Sequence, residues 1–76
     1  MNAKKELIVS LKKEVTDFDI SLVQMMANRV TPREMGKKFN KSHRTVEADI
    51  AKAKKRYGCS SSIELIMLFK RNNLIE

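Results

Sequence analysis

The chain has 76 residues, enough for one domain with a thin core and little room to enclose a substrate beside a catalytic constellation. It carries 16 Lys and Arg against 9 Asp and Glu, a net charge of +7, with one His and one Cys. A lone Cys59 excludes an intramolecular disulfide framework and suits a reducing cytoplasm.

The placement of the charge is more informative than its total. Between Arg33 and Arg56 there are nine basic residues and three acidic ones, a net +6, and the other fifty-two residues contribute only +1. A solvated helical face usually mixes both signs, whereas a window dominated by one sign attracts polyanions, of which nucleic-acid backbones are the commonest. Acidic membrane or protein partners are the lesser alternatives on charge; no membrane partner is expected, and the longest nearly uncharged apolar stretch, Ile63 to Phe69, is far too short to span a bilayer. Ile8, Val9 and Leu11 are too few for the apolar region of a secretory signal. Met1 suggests a natural start and a stand-alone domain, with a piece of a longer regulator as the alternative.

In chain order, residues 1–15 read as a charged N-terminal arm, and residues 16–76 as the folded domain. Leu7, Ile8, Leu11 and Val15 give the arm an apolar strip at helical spacing, predicting a weak helix that packs on the domain. Thr16 is an N-cap, with Asp17 and Asp19 in the first turn where the helix dipole favours negative charge. The first domain helix is predicted to run to about Arg29 with a wide apolar face. Thr31-Pro32-Arg33-Glu34 is a second helix start: Thr31 caps, Pro32 takes the first helical position and Glu34 completes a capping box. This helix spans about eight residues to Asn40, with Met35 and Phe39 inward, Lys37 and Lys38 outward, and Gly36 marking a close backbone approach.

Asn40-Lys41-Ser42 is a tight connection in which Ser42 caps a third helix from His43 to about Tyr57. Val46, Ile50, Ala53 and Tyr57, spaced four, three and four, form one narrow apolar stripe. The remaining surface includes Arg44, Glu47, Ala48, Ala51, Lys52 and Lys55, a basic face with small residues that suits a groove. Gly58 ends this helix as a left-handed cap residue. A fourth helix is predicted from about Ser62 to Asn72. Leu65, Ile66 and Phe69 serve its core side, and Ile63, Met67 and Leu68 are surplus apolar residues for a dimer interface. Their alternative use is to cover the N-terminal arm.

Two helices joined by a short connection, the second longer and basic, form a helix-turn-helix pattern, and the DNA major groove admits one α-helix. From Val15 to Ile75 the chain resembles the LuxR/GerE-type helix-turn-helix domain without a gap. The resemblance is carried by Val15-Thr16, by Thr31-Pro32-Arg33-Glu34-Met35-Gly36, by Ser42-His43-Arg44-Thr45-Val46, by Arg56-Tyr57-Gly58, and by Ser61-Ser62-Ile63-Glu64-Leu65-Ile66. It implies an all-α domain of four helices, the third in the major groove and the fourth making a dimer contact. By position it implies phosphate contacts at Thr31, Arg33 and Thr45, base-facing positions at Arg44, Glu47, Ala48 and Ala51, and Lys52 and Lys55 beside the backbone.

The chain departs from the family at Glu47, where a basic or amide residue is frequent, at Asp49 and at Lys41. Glu47 either accepts from cytosine N4 or repels phosphate and pairs with Arg44 or Lys52, and pairing is the favoured expectation. His43 is read as a residue of the capping turn near phosphate, and Cys59 as a small core residue. One His and one Cys make neither a zinc site nor an oriented nucleophilic pair, so no metal, cofactor or enzymatic activity is expected. Tyr57 and Phe39 are too few and too interior for a single-strand stacking platform.

The expected function is therefore sequence-specific binding of double-stranded DNA by a bacterial-type transcription regulator. The expected form is a homodimer in the cytoplasm, on the nucleoid, with no small-molecule ligand in this domain. The alternative is a protein-interaction module that kept the fold and lost DNA binding, with a sigma-factor-like domain contacting RNA polymerase as a variant.

Overall fold

A computed structural model describes residues 15–76, and the predicted arm helix lies outside them. The described chain is all-α: α1 (Asp17–Ala27), α2 (Pro32–Phe39), α3 (His43–Arg56) and α4 (Ser62–Arg71). No helix among the described residues is long and apolar enough to cross a membrane.

Each helix starts at a hydroxyl side chain that accepts from the backbone N–H three residues on. Thr16 accepts from Asp19 at 3.1 Å, Thr31 from Glu34 at 3.2 Å, Ser42 from Thr45 at 3.1 Å and Ser61 from Glu64 at 3.1 Å. Satisfying otherwise orphaned N–H groups makes each cap worth about 1 kcal/mol. Before α2 the bonding is reciprocal, because the Thr31 N–H also donates to Glu34 Oε1 at 3.2 Å, which completes the capping box. That backbone bond, with a second from the Thr31 hydroxyl, lowers the Glu34 pKa from its ordinary 4.5.

α1 ends two residues before the predicted Arg29. Arg29 adopts a left-handed φ of 61°, and the Val30 N–H bonds back to the Met25 carbonyl at 2.9 Å. This closure turns the chain so that Val30 packs on the core. Asn40 ends α2 in the same conformation at φ 57°, and the Lys41 N–H donates to the Gly36 carbonyl at 2.8 Å. Gly36 is required there, since a Cβ would lie 2.5 Å from the Lys41 carbonyl oxygen. Gly58, at φ 68°, follows α3 as its left-handed residue, as the sequence predicted.

α2 and α3 pack closely across the three residues Asn40, Lys41 and Ser42, while α4 packs on α1 and, less extensively, on α3. Leu22, Val23, Met35, Val46, Leu65 and Phe69 are fully buried between them, each contributing about 1.5–3 kcal/mol of apolar burial. Ala53 and Tyr57 continue the predicted stripe of α3, with Ile50 half-buried beside them, and Cys59 is buried as expected. After α4, Asn73 turns left-handed and Ile75 folds back into the core.

Leu68, assigned to a dimer interface, is 4% exposed and belongs to the core with Leu65 and Phe69. Residues three and four apart share a helical face, so Leu68 shares the Leu65 side, and only Ile63 and Met67 point away at 70% and 52% exposure. Ile66 is half-buried against the core.

Candidate nucleic-acid interface

Helical geometry sets the exposed surface of α3. At about 100° per residue, Arg44, Ala48, Ala51 and Lys55 form a strip opposite the Val46, Ile50, Ala53 and Tyr57 stripe. All four are exposed, and the equally exposed Glu47 and Lys52 flank the strip on its two sides. Two alanines at the centre of a charged strip leave space for another surface to come close to the helix backbone.

The N-terminal end of α3 is rigidly held. Ser42 Oγ caps the helix and lies 2.9 Å from Thr45 Oγ1, so Thr45 is exposed while its hydroxyl is oriented by its neighbour. His43 is exposed in the first turn. At the start of α2, Arg33 is exposed, whereas the Thr31 hydroxyl is already bonded within the capping box. The candidate residues therefore fall into two groups, one along α3 and one at the N-terminus of α2, joined by the short turn between them. Ile63 and Met67 lie on α4, a separate element.

Not every cation of the basic window is free. Lys41 Nζ is 2.9 Å from Asp49 Oδ2 and 4.1 Å from the centre of the Phe18 ring, which itself packs at 5.0 Å on Phe39. Lys41 is thus attached to the domain by an ion pair and a cation–π contact, and the Asp49 charge is neutralised. Arg56 Nη1 is 3.2 Å from Asp19 Oδ2. Arg33, Lys37, Lys38, Arg44, Lys52 and Lys55 are exposed and make no ion pair among the described residues.

Glu47 does not follow the expectation placed on it. It forms no ion pair with Arg44 or Lys52 among the described residues, so an exposed carboxylate stands beside the strip, available to solvent. Arg44 and Lys52 extend into solvent as well, where a single exposed ion pair gains too little to hold two long side chains together.

Sequence reasoning missed the role of Asp19. Its carboxylate is 5% exposed, and it accepts from the Tyr57 hydroxyl at 2.5 Å and from Arg56. Burial, followed by the bond to Asp19 and its negative charge, pushes the Tyr57 hydroxyl up to about 12. The signal available in the sequence was Tyr57 itself, since a tyrosine in a buried stripe requires a partner for its hydroxyl. The cluster fixes the C-terminal end of α3 to the start of α1, while the Asn40–Ser42 turn fixes its other end to α2. Together they attach α3 to its neighbours at both ends, with the strip exposed between them. A cleft between α1 and α3, lined by Thr16, Phe18, Asp49 and Lys52 among others, borders the strip on the Lys52 side. No protein-family model, no curated protein and no solved structure matches this chain.

Proposed function

We propose that the chain binds double-stranded DNA sequence-specifically and acts as a transcription regulator, with α3 lying in the major groove. The observation that carries this reading is the Arg44–Ala48–Ala51–Lys55 strip, exposed along a helix whose opposite side packs on the core. An α-helix fits the major groove, small residues let it approach the base edges, and flanking cations hold phosphates. In this arrangement Thr31, Arg33, Thr45, Lys52 and Lys55 contact the backbone, and Arg44, Glu47, Ala48 and Ala51 face the bases. The resemblance to the LuxR/GerE-type domain supports the same docking. A second copy of the chain pairs through Ile63 and Met67 on α4, the large apolar residues left exposed among those described.

The test is fluorescence anisotropy on random duplex DNA over a salt series, with Lys52→Ala/Lys55→Ala beside the unaltered chain. Affinity is expected to fall with salt at a log–log slope of about −0.9 per neutralised phosphate. The double variant is expected to bind all duplexes more weakly, with a slope shallower by about 2. Equal binding by both proteins removes α3 from the groove. A second reading, favoured by exposed Ile63 and Met67, is a protein-interaction module; an absence of duplex binding even at low salt gives it the lead.

A further inference from the structure

Glu47 presents a problem that the DNA-binding reading does not solve. A carboxylate at the edge of a groove-facing strip opposes a polyanion: Asp49, two residues on in the same helix, is paired with Lys41, but Glu47 is exposed and has no ion pair among the described residues. Its repulsion would weaken binding to every duplex equally unless the carboxylate is matched to a hydrogen-bond donor on a base. The major groove offers such a donor in the exocyclic amino group of cytosine, N4, to which Glu and Asp side chains are suited.

We infer that Glu47 is a specificity-determining residue that accepts from cytosine N4 in the major groove, selecting a C·G pair at one position of the site. The inference rests on the DNA-binding reading of α3 and deepens it. Arg44 lies three residues before Glu47, on the adjacent side of the same strip, and arginine is suited to the O6 and N7 acceptors of guanine. Three residues advance about 4.5 Å along the helix, close to one base-pair step, so the two side chains address neighbouring pairs. With Ala48 and Ala51 contributing little beyond close approach, Arg44 and Glu47 are the polar readers of this strip, and the carboxylate sets the preference at its own position. A solvent-exposed repulsive charge and a base reader differ in what removal does. Removing mere repulsion tightens binding and leaves sequence preference as it was, whereas removing a reader tightens binding to bulk DNA and erases one position.

The experiment selects bound duplexes from a random library with the full chain, Glu47→Ala and Glu47→Gln at one salt concentration, and measures affinity for the selected and unselected pools. The unaltered chain is expected to favour cytosine at one position by about 5–100-fold over other bases. Glu47→Ala is expected to flatten that position alone and to bind the unselected pool more tightly. Glu47→Gln is expected to move the preference toward adenine, whose N6 and N7 match an amide. Because Glu47 is exposed, equal thermal melting of the three proteins verifies that folding is unaffected. Cytosine preference surviving in Glu47→Ala overturns the inference while DNA binding stands, as does adenine selected at that position by the unaltered chain. No duplex binding by the unaltered chain overturns the DNA-binding reading and this inference with it.

Discussion

Tyr57→Phe isolates the buried polar contact that ties α3 to α1. The substitution removes one oxygen and leaves the ring, which meets Phe69 edge-on at 5.2 Å. The lost hydrogen bond is short, at 2.5 Å, and its acceptor is a buried carboxylate. A bond to a charged group contributes about 1.5–3 kcal/mol net. That is a large fraction of the roughly 5 kcal/mol expected for a domain near this size. The corresponding fall in Tm is about 6–24 °C, followed by circular dichroism alongside urea denaturation. Arg56→Ala, by contrast, removes a partner whose side chain is 55% exposed, and is expected to destabilise the fold less than Tyr57→Phe does. The pH dependence supplies an independent check. The folded state raises the Tyr57 pKa from 10.0 to about 12, so the folded chain holds a proton that the unfolded chain releases first. The stability from this group is present in full below pH 10 and is lost as pH rises through 12. The gap between the unaltered chain and Tyr57→Phe should therefore narrow across that window. A variant within about 0.5 kcal/mol of the parent at neutral pH, or a gap constant to pH 12, refutes the reasoning.

Two further substitutions test other parts of the fold. Gly36→Ala gains about 1 kcal/mol of helix propensity but places a Cβ 2.5 Å from a backbone oxygen. A net loss of about 1–2 kcal/mol in chemical denaturation is expected, and a stabilised variant would show that the turn yields freely. Leu68→Ala should cost about 2–5 kcal/mol, because its side chain fills the core between α4 and its neighbours. Met67→Ala, one residue earlier and 52% exposed, should change monomer stability by less than about 1 kcal/mol, and equal losses from the two would contradict the burial pattern.

The four helices were legible in the sequence because their starts and stops are local. Thr16, Thr31, Ser42 and Ser61 cap within three residues of themselves, Pro32 and Glu34 strengthen the second start, and Gly58 permits a left-handed stop. The apolar stripe of α3 was equally legible, since a period of three and four residues fixes one face of any helix, and its opposite face follows by geometry. The end of α1 falls two residues before Arg29, because Arg29 adopts a left-handed conformation that arginine does not favour, held by the Val30 N–H bond to the Met25 carbonyl and by the packing of Val30.

Other features depended on contacts between residues far apart in the chain. Leu68 is the exception: it read as surplus because α4 has more apolar residues than one face usually carries, yet its spacing of three from Leu65 already puts it on the core face. The buried Asp19 read as a first-turn acid, its local role, until Tyr57 and Arg56, 38 and 37 residues away, were brought against it. The same folding pairs Lys41 with Asp49 and leaves Glu47 exposed, although all three read from the sequence as charges of one basic window. Local hydrogen bonding and periodicity thus determined the elements and the candidate interface. Long-range packing determined which charges on that interface are already neutralised and which are free to meet a partner.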